Sequence, residues 1–77
     1  MNIKTIVGDN IRGFRHKIDY TQEKLAIRSG LHVNYISSVE RGERNLGIEN
    51  LVKIAKALRI KPNVLLIENA HRAETSA

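Results

Sequence analysis

The segment TQEKLAIRSGLHVNYISSVERG, from Thr21 to Gly42, decides how the chain folds. Thr21 is a good N-cap residue, and Gln22, Glu23, Lys24, Leu25 and Ala26 after it are mostly good helix formers, so a short helix should run from Gln22 to about Arg28. Ser29-Gly30-Leu31 then breaks it, because glycine tolerates the left-handed conformation that closes a helix. His32 through Glu40 reads as the next helix, with Ile36 and Val39 facing inward, and Gly42 ends it. Two helices joined so tightly cross at close range, and Ala26, midway along the first, has the small side chain that the crossing needs. Leu25, Leu31, Ile36 and Val39 fill the wedge between the two helices and the rest of the core.

Upstream, Ile3, Val7, Ile11, Phe14 and Ile18 recur every three or four positions, which gathers them on one stripe of a helix from about Ile3 to Lys17. Gly8 and Gly13 each cost such a helix roughly 1 kcal/mol relative to alanine, so its first turns are expected to fray. Downstream, Gly42 to Gly47 is a polar loop, and Ile48, Leu51, Ile54, Ala55 and Leu58 mark a fourth helix. Pro62 suits the first turn of a fifth, running to about Glu68, whose Val64, Leu65, Leu66 and Ile67 are more apolar than one buried stripe requires. No strand pattern or internal repeat is present in the sequence. The expected architecture is all-α, five short helices in one domain over residues 1–68, with a polar, disordered tail at 69–77.

A chain of 77 residues holds one core, and a core of that size supplies only a few kcal/mol of net stability without a disulfide, a metal or a partner subunit. Cysteine is absent, so a homodimer is the expected supplement. Thirteen Lys and Arg against eight Asp and Glu give a net charge of +5, which suits nucleic acid or an anionic membrane and is also found in basic proteins that bind neither. The start, Met-Asn-Ile-Lys, lacks a signal peptide's apolar run, and no stretch approaches the ~20 apolar residues of a membrane span. A cytoplasmic, nucleoid-associated protein with no membrane partner is expected. His16, His32 and His71 lack the paired spacings of metal sites, and no Ser or acidic residue stands in a recognisable nucleophile motif. Neither catalysis, nor a metal, nor a cofactor is expected.

Thr21-Gln22-Glu23-Lys24-Leu25-Ala26, Ser29-Gly30-Leu31, Tyr35-Ile36-Ser37 and Val39-Glu40-Arg41-Gly42 resemble the phage repressor and Cro (XRE-like) family of helix-turn-helix proteins, over about Ile11 to Leu66. Glu43-Arg44-Asn45-Leu46, followed by the Ile48 to Leu58 helix in so short a chain, further resembles the controller proteins of restriction–modification systems. The resemblance implies a lambda-repressor-like domain, motif 22–41, acting as a sequence-specific transcriptional regulator on double-stranded DNA. In that geometry the second helix of the motif enters the major groove and the first crosses the phosphate backbone.

Carried onto this chain, the resemblance gives His32, Val33, Asn34, Tyr35 and Ser38 as base readers, and Gln22, Ser37, Arg41, Arg44 and Asn45 as phosphate contacts. Asparagine can pair bidentately with adenine and valine can touch a thymine methyl, which fits A·T pairs in a half-site. Controller proteins often carry Arg where this chain has Val33, so their operator does not carry over. The family positions matching Arg15 and Glu40 form an ion pair tying the first helix to the end of the reading helix; two solvated surface charges are the alternative. Val64, Leu66 and Ile67 are candidates for a two-fold interface, or else simply pack against the first or fourth helix. RNA polymerase is a partner if the protein activates, and no small-molecule effector is expected. An antitoxin or protein-interaction module would use the same fold, but such modules generally carry an extra segment for their partner.

Overall fold

Three helices are opened by side chains that accept hydrogen bonds from their first free amides. Asn2 Oδ1 accepts from the amides of Lys4 and Thr5, at 3.1 and 3.4 Å, and starts α1, Ile3–Lys17. Thr21 Oγ1 accepts from Lys24 at 3.0 Å and starts α2, Gln22–Ser29. His32 Nδ1 accepts from Asn34 at 3.2 Å and starts α3, Val33–Glu40. A fourth helix, α4, spans Ile48–Leu58. The computed structural model describes residues 2–72.

Between α2 and α3 the chain turns at Gly30, whose φ of 76° is the left-handed conformation that a side chain disfavours. The amides of Gly30 and Leu31 both return to the Ala26 carbonyl, at 2.9 and 3.1 Å, and close α2. Helix α3 then packs against both α1 and α2, and α4 packs against α2. Ile11, Leu25, Ile36, Ile54 and Leu65 are wholly buried where these elements meet, with Val7, Ala26, Val39, Ala55 and Leu58 around them.

The periodicity predicts five helices, and the structure corrects this to four α-helices and two short 3-10 turns, Pro62–Leu66 and Ala70–Arg72, among the described residues. Asn10, fully buried on α1, supplies the physical reason. Its Nδ2 donates to the carbonyls of Leu65 and Ile67, at 3.0 and 2.8 Å, and Ile67 adopts extended backbone, so the fifth helix ends after one tight turn. The tail predicted to be loose from residue 69 instead continues as a turn on α1 as far as Arg72. The remainder of that predicted tail, 73–77, lies outside the described residues.

The predicted stripe on α1 also shifts. Val7 and Ile11 face the core, whereas Ile3 and Ile18, at the two ends, are substantially exposed and Asn10 and Arg15 are buried in their stead. On α4, Ile48 is 80% exposed although it falls on the predicted stripe. α1 runs unbroken through Gly8, where a Cβ would overlap the carbonyl oxygens of Val39 and Glu40, so its bare backbone is what lets α1 lie against the end of α3.

Helix propensity alone makes Gly8→Ala stabilising by roughly 1 kcal/mol. The packing reverses the sign, because the neighbour is backbone and cannot rotate away. Gly8→Ala is expected to destabilise the chain by about 1–3 kcal/mol, read as a lowered thermal midpoint; a raised midpoint contradicts this packing.

Candidate nucleic-acid interface

The ends of three helices meet at one carboxylate. Arg15 on α1 donates from Nε and Nη2 to the two oxygens of Glu40, the last residue of α3, at 2.7 and 2.9 Å. The two side chains are 9% and 3% exposed. Arg15 Nη1 donates to the Tyr20 carbonyl at 2.8 Å, and Gln22 Nε2, in the first turn of α2, donates to Glu40 Oε1 at 3.0 Å. Arg12 Nη2 reaches the Glu40 carbonyl at 3.3 Å. Burying a carboxylate costs several kcal/mol unless it is paired and its remaining lone pairs are satisfied, and both conditions hold here.

The opposite end of α3 is open. Asn34 is exposed in the first turn, and its side-chain amide has no partner among the described residues. His32, also exposed, uses Nδ1 for the cap and keeps Nε2 free. Val33 is half-buried, packed against the core at one side. Tyr35 is half-buried as well, and its hydroxyl accepts from Asn50 Nδ2 on α4 at 3.2 Å. Ser38 is turned inward: its hydroxyl donates to the Tyr35 carbonyl and accepts from Arg44 Nε, both at 3.0 Å. The Arg44 guanidinium lies 5.4 Å from the centre of the Tyr35 ring.

The candidate phosphate contacts fall in two groups. Arg41, Arg44 and Asn45 line one open polar depression, together with Glu43 and the candidate base readers Asn34 and Ser38. Ser37 joins it through Arg41, whose Nη1 donates to the Ser37 hydroxyl at 2.6 Å. Gln22 stands apart, with its side chain spent on Glu40, and offers an approaching anion the free amides at the start of α2.

Sequence reasoning missed Glu43, an acid inside a face read as basic. Its carboxylate takes Arg41 Nε at 3.1 Å, with both side chains more than half exposed. The hydrogen bond from Arg41 holds the Glu43 carboxyl below its ordinary range and raises the Arg41 guanidinium above its own. Glu43 therefore occupies the Nε edge of the Arg41 guanidinium. An acid two residues from an Arg was the available signal. Asn50 was missed as well, since its link to Tyr35 crosses from α4 and leaves no local trace.

Among the described residues no cluster of His, Cys, Asp or Glu could hold a metal ion, and no helix is long and apolar enough to cross a membrane. A helix-turn-helix sequence family matches residues 11–65. The chain is 46% identical over 66 residues to the control protein C.BamHI of Bacillus amyloliquefaciens, covering 84% of this chain and 82% of that one. It is 43% identical over 74 residues to the control protein C.SmaI of Serratia marcescens, covering 96% and 88%. The crystal structure of the restriction–modification controller protein C.AhdI from Aeromonas hydrophila superposes with a TM-score of 0.78 at 40% identity, covering 80% of this chain and 94% of that one.

Removing one partner of a buried ion pair leaves the other charge uncompensated. Glu40→Ala is accordingly expected to cost about 3–5 kcal/mol, a loss that a chain of this size can barely survive. Thermal or urea unfolding checks it, and an unchanged midpoint contradicts the buried pair.

Proposed function

Because the chain belongs to the Cro-type helix-turn-helix family, is a sequence-specific DNA-binding regulator and closely resembles restriction–modification controller proteins, we propose that it acts as a symmetric dimer on an operator with two-fold symmetry and controls a restriction–modification system. The observation that carries this reading is the asymmetry of α3: one end is locked to α1 and α2 through Glu40, and the other presents an unpartnered Asn34 to solvent. A reading helix needs both properties, since base discrimination requires free donor and acceptor groups whose position does not drift.

Asn34 is the principal base reader, bidentate to adenine, with His32 Nε2 and the exposed side of Val33 beside it. Tyr35 supports the loop through Arg44. Ser38 reads a base once Arg44 leaves it for a phosphate. Ser37, Arg41, Arg44, Asn45 and the amides around Gln22 grip the backbone. Phosphates displace Glu43 from Arg41, so Glu43 discourages binding to weak sites.

Dimerisation sets the two α3 helices about 34 Å apart in successive major grooves. Leu66 and Ile67, 46% and 54% exposed, form the two-fold surface with Val64, which is half-buried. Leu66 also lines a pocket of about 290 Å³ with Ile3, Val7, Leu46 and Leu51, together with Lys4, Arg44 and Asn45. RNA polymerase is the further partner at promoters the dimer activates.

Selection of bound duplexes from a random pool tests the reading. Inverted repeats with half-sites one helical turn apart are expected, and selection of unsymmetric sites contradicts it. Asn34→Ala is expected to relax preference at one position per half-site, costing about 1–3 kcal/mol; an unchanged preference removes Asn34 as the reader. Leu66→Asp is expected to sediment as a monomer, and a persisting dimer moves the interface elsewhere.

A further inference from the structure

Asn10 has no exposed surface and spends its whole side chain on Leu65, Ile67 and His71. Besides the two bonds that Nδ2 gives to Leu65 and Ile67, Oδ1 accepts from the His71 amide at 3.3 Å and faces His71 Nδ1 at 2.9 Å. An amide oxygen only accepts, so Nδ1 carries a proton. Nε2 meanwhile accepts from Arg72 Nε at 3.3 Å, which leaves it unprotonated and the ring neutral. The imidazole has a fitted seat: it covers Gly13, where a Cβ would overlap the ring, and meets the edge of Phe14 with centroids 6.2 Å apart. Gly13, a liability by helix propensity, is thus the floor of a histidine site.

We propose that the Ala70–Arg72 turn is a proton-sensitive latch: neutral His71 docks on Asn10 and Gly13 and keeps Leu66 and Ile67 in place, and a proton on Nε2 releases them. Asn10 couples the two parts, because the same side chain holds the carbonyls on either side of Leu66 and the ring of His71. The consequence for dimerisation rests on the two-fold surface proposed above; the latch itself does not.

The surroundings disfavour the charged ring. On α1 it faces Asp9, whose Oδ2 is 3.7 Å from Nε2, and the cations Arg12 and Lys17; on its own turn it faces Arg72. The Pro62–Leu66 turn, which also packs against it, has no ionisable side chain. Protonating Nε2 destroys the bond accepted from Arg72 and sets two donors against each other. Burial holds the imidazole below its usual 6.5; the pull of Asp9 opposes this, and Arg72, Lys17 and Arg12 add to the lowering. With the folded value lowered, docking is fully stabilised above 6.5 and is lost as pH falls from there through the lowered value.

Nuclear magnetic resonance of the full chain tests the latch, following the His71 ring and the amides of Ile67, Ala70 and Arg72 between about pH 7.5 and pH 5. The ring is expected to titrate below 6.5, with the three amides moving at the same midpoint. The opening constant at low pH then rises about tenfold for each unit of separation from 6.5. Sedimentation over the same interval is expected to show the dimer weakening, and His71→Gln, which cannot titrate, to abolish that dependence. A ring that titrates at or above 6.5, or amides that ignore it, overturns the latch. Dimer weakening unchanged in His71→Gln also overturns its role. Amides that follow the ring in a chain monomeric at every pH uphold the latch and count against the two-fold surface.

Discussion

A carboxylate sealed among three helices has to be neutralised where it lies, and the way this chain does so for Glu40 ties the end of α3 to α1 and α2. The Arg15 guanidinium is planar and presents paired donors, so it engages both carboxylate oxygens at once and fixes direction as well as distance. Its other terminal nitrogen is held by the Tyr20 carbonyl in the turn before α2, and Gln22 adds a third link from α2 itself. The close approach this requires is possible because Gly8 lets α1 rest on the backbone of Val39 and Glu40. An apolar cluster of the same volume could be as stable, but it would fix the end of α3 less narrowly.

The rest of the interface extends that constraint outward. Tyr35 is tied to α4 through Asn50, Ser38 is tied to the following loop through Arg44, and Arg44 lies over the Tyr35 ring. Apart from the buried Ser38, these links run through exposed or half-buried groups that can exchange with water, unlike the pair behind them. The face therefore grades from a rigid base to adaptable contacts. Glu43 belongs to the adaptable part: it is paired with Arg41 at the exposed surface, where, in the function proposed above, it would compete with a phosphate.

Local signals made the α2–α3 stretch readable. Thr21, Ala26 and Gly30 each do what their chemistry dictates within a few residues, and the structure places them so. Apolar periodicity found α1 and α4 and most of their buried faces, but it cannot see that Asn10 and Arg15 are buried or that Ile3, Ile18 and Ile48 at the helix ends are exposed. It also extended the Pro62 turn into a helix, since the side chain that stops it lies 55 residues away. Gly8 and Gly13 were legible only as costs, their purpose being room for Val39 and Glu40 in one case and for His71 in the other. The pairing of Arg15 with Glu40 came from family resemblance; no spacing in the sequence contains it.

In the function proposed above, the Glu40 network orients α3 for base reading and does not merely hold the fold together. Arg15→Met combined with Glu40→Leu separates the two roles, because an apolar pair of similar volume can retain stability while losing the directional bonds. The measurement is the ratio of operator to non-specific duplex affinity at fixed salt, in a variant whose helix content and urea midpoint match the parent. This ratio is expected to fall, with non-specific binding little changed; an operator preference equal to the parent's contradicts an orienting role for the network.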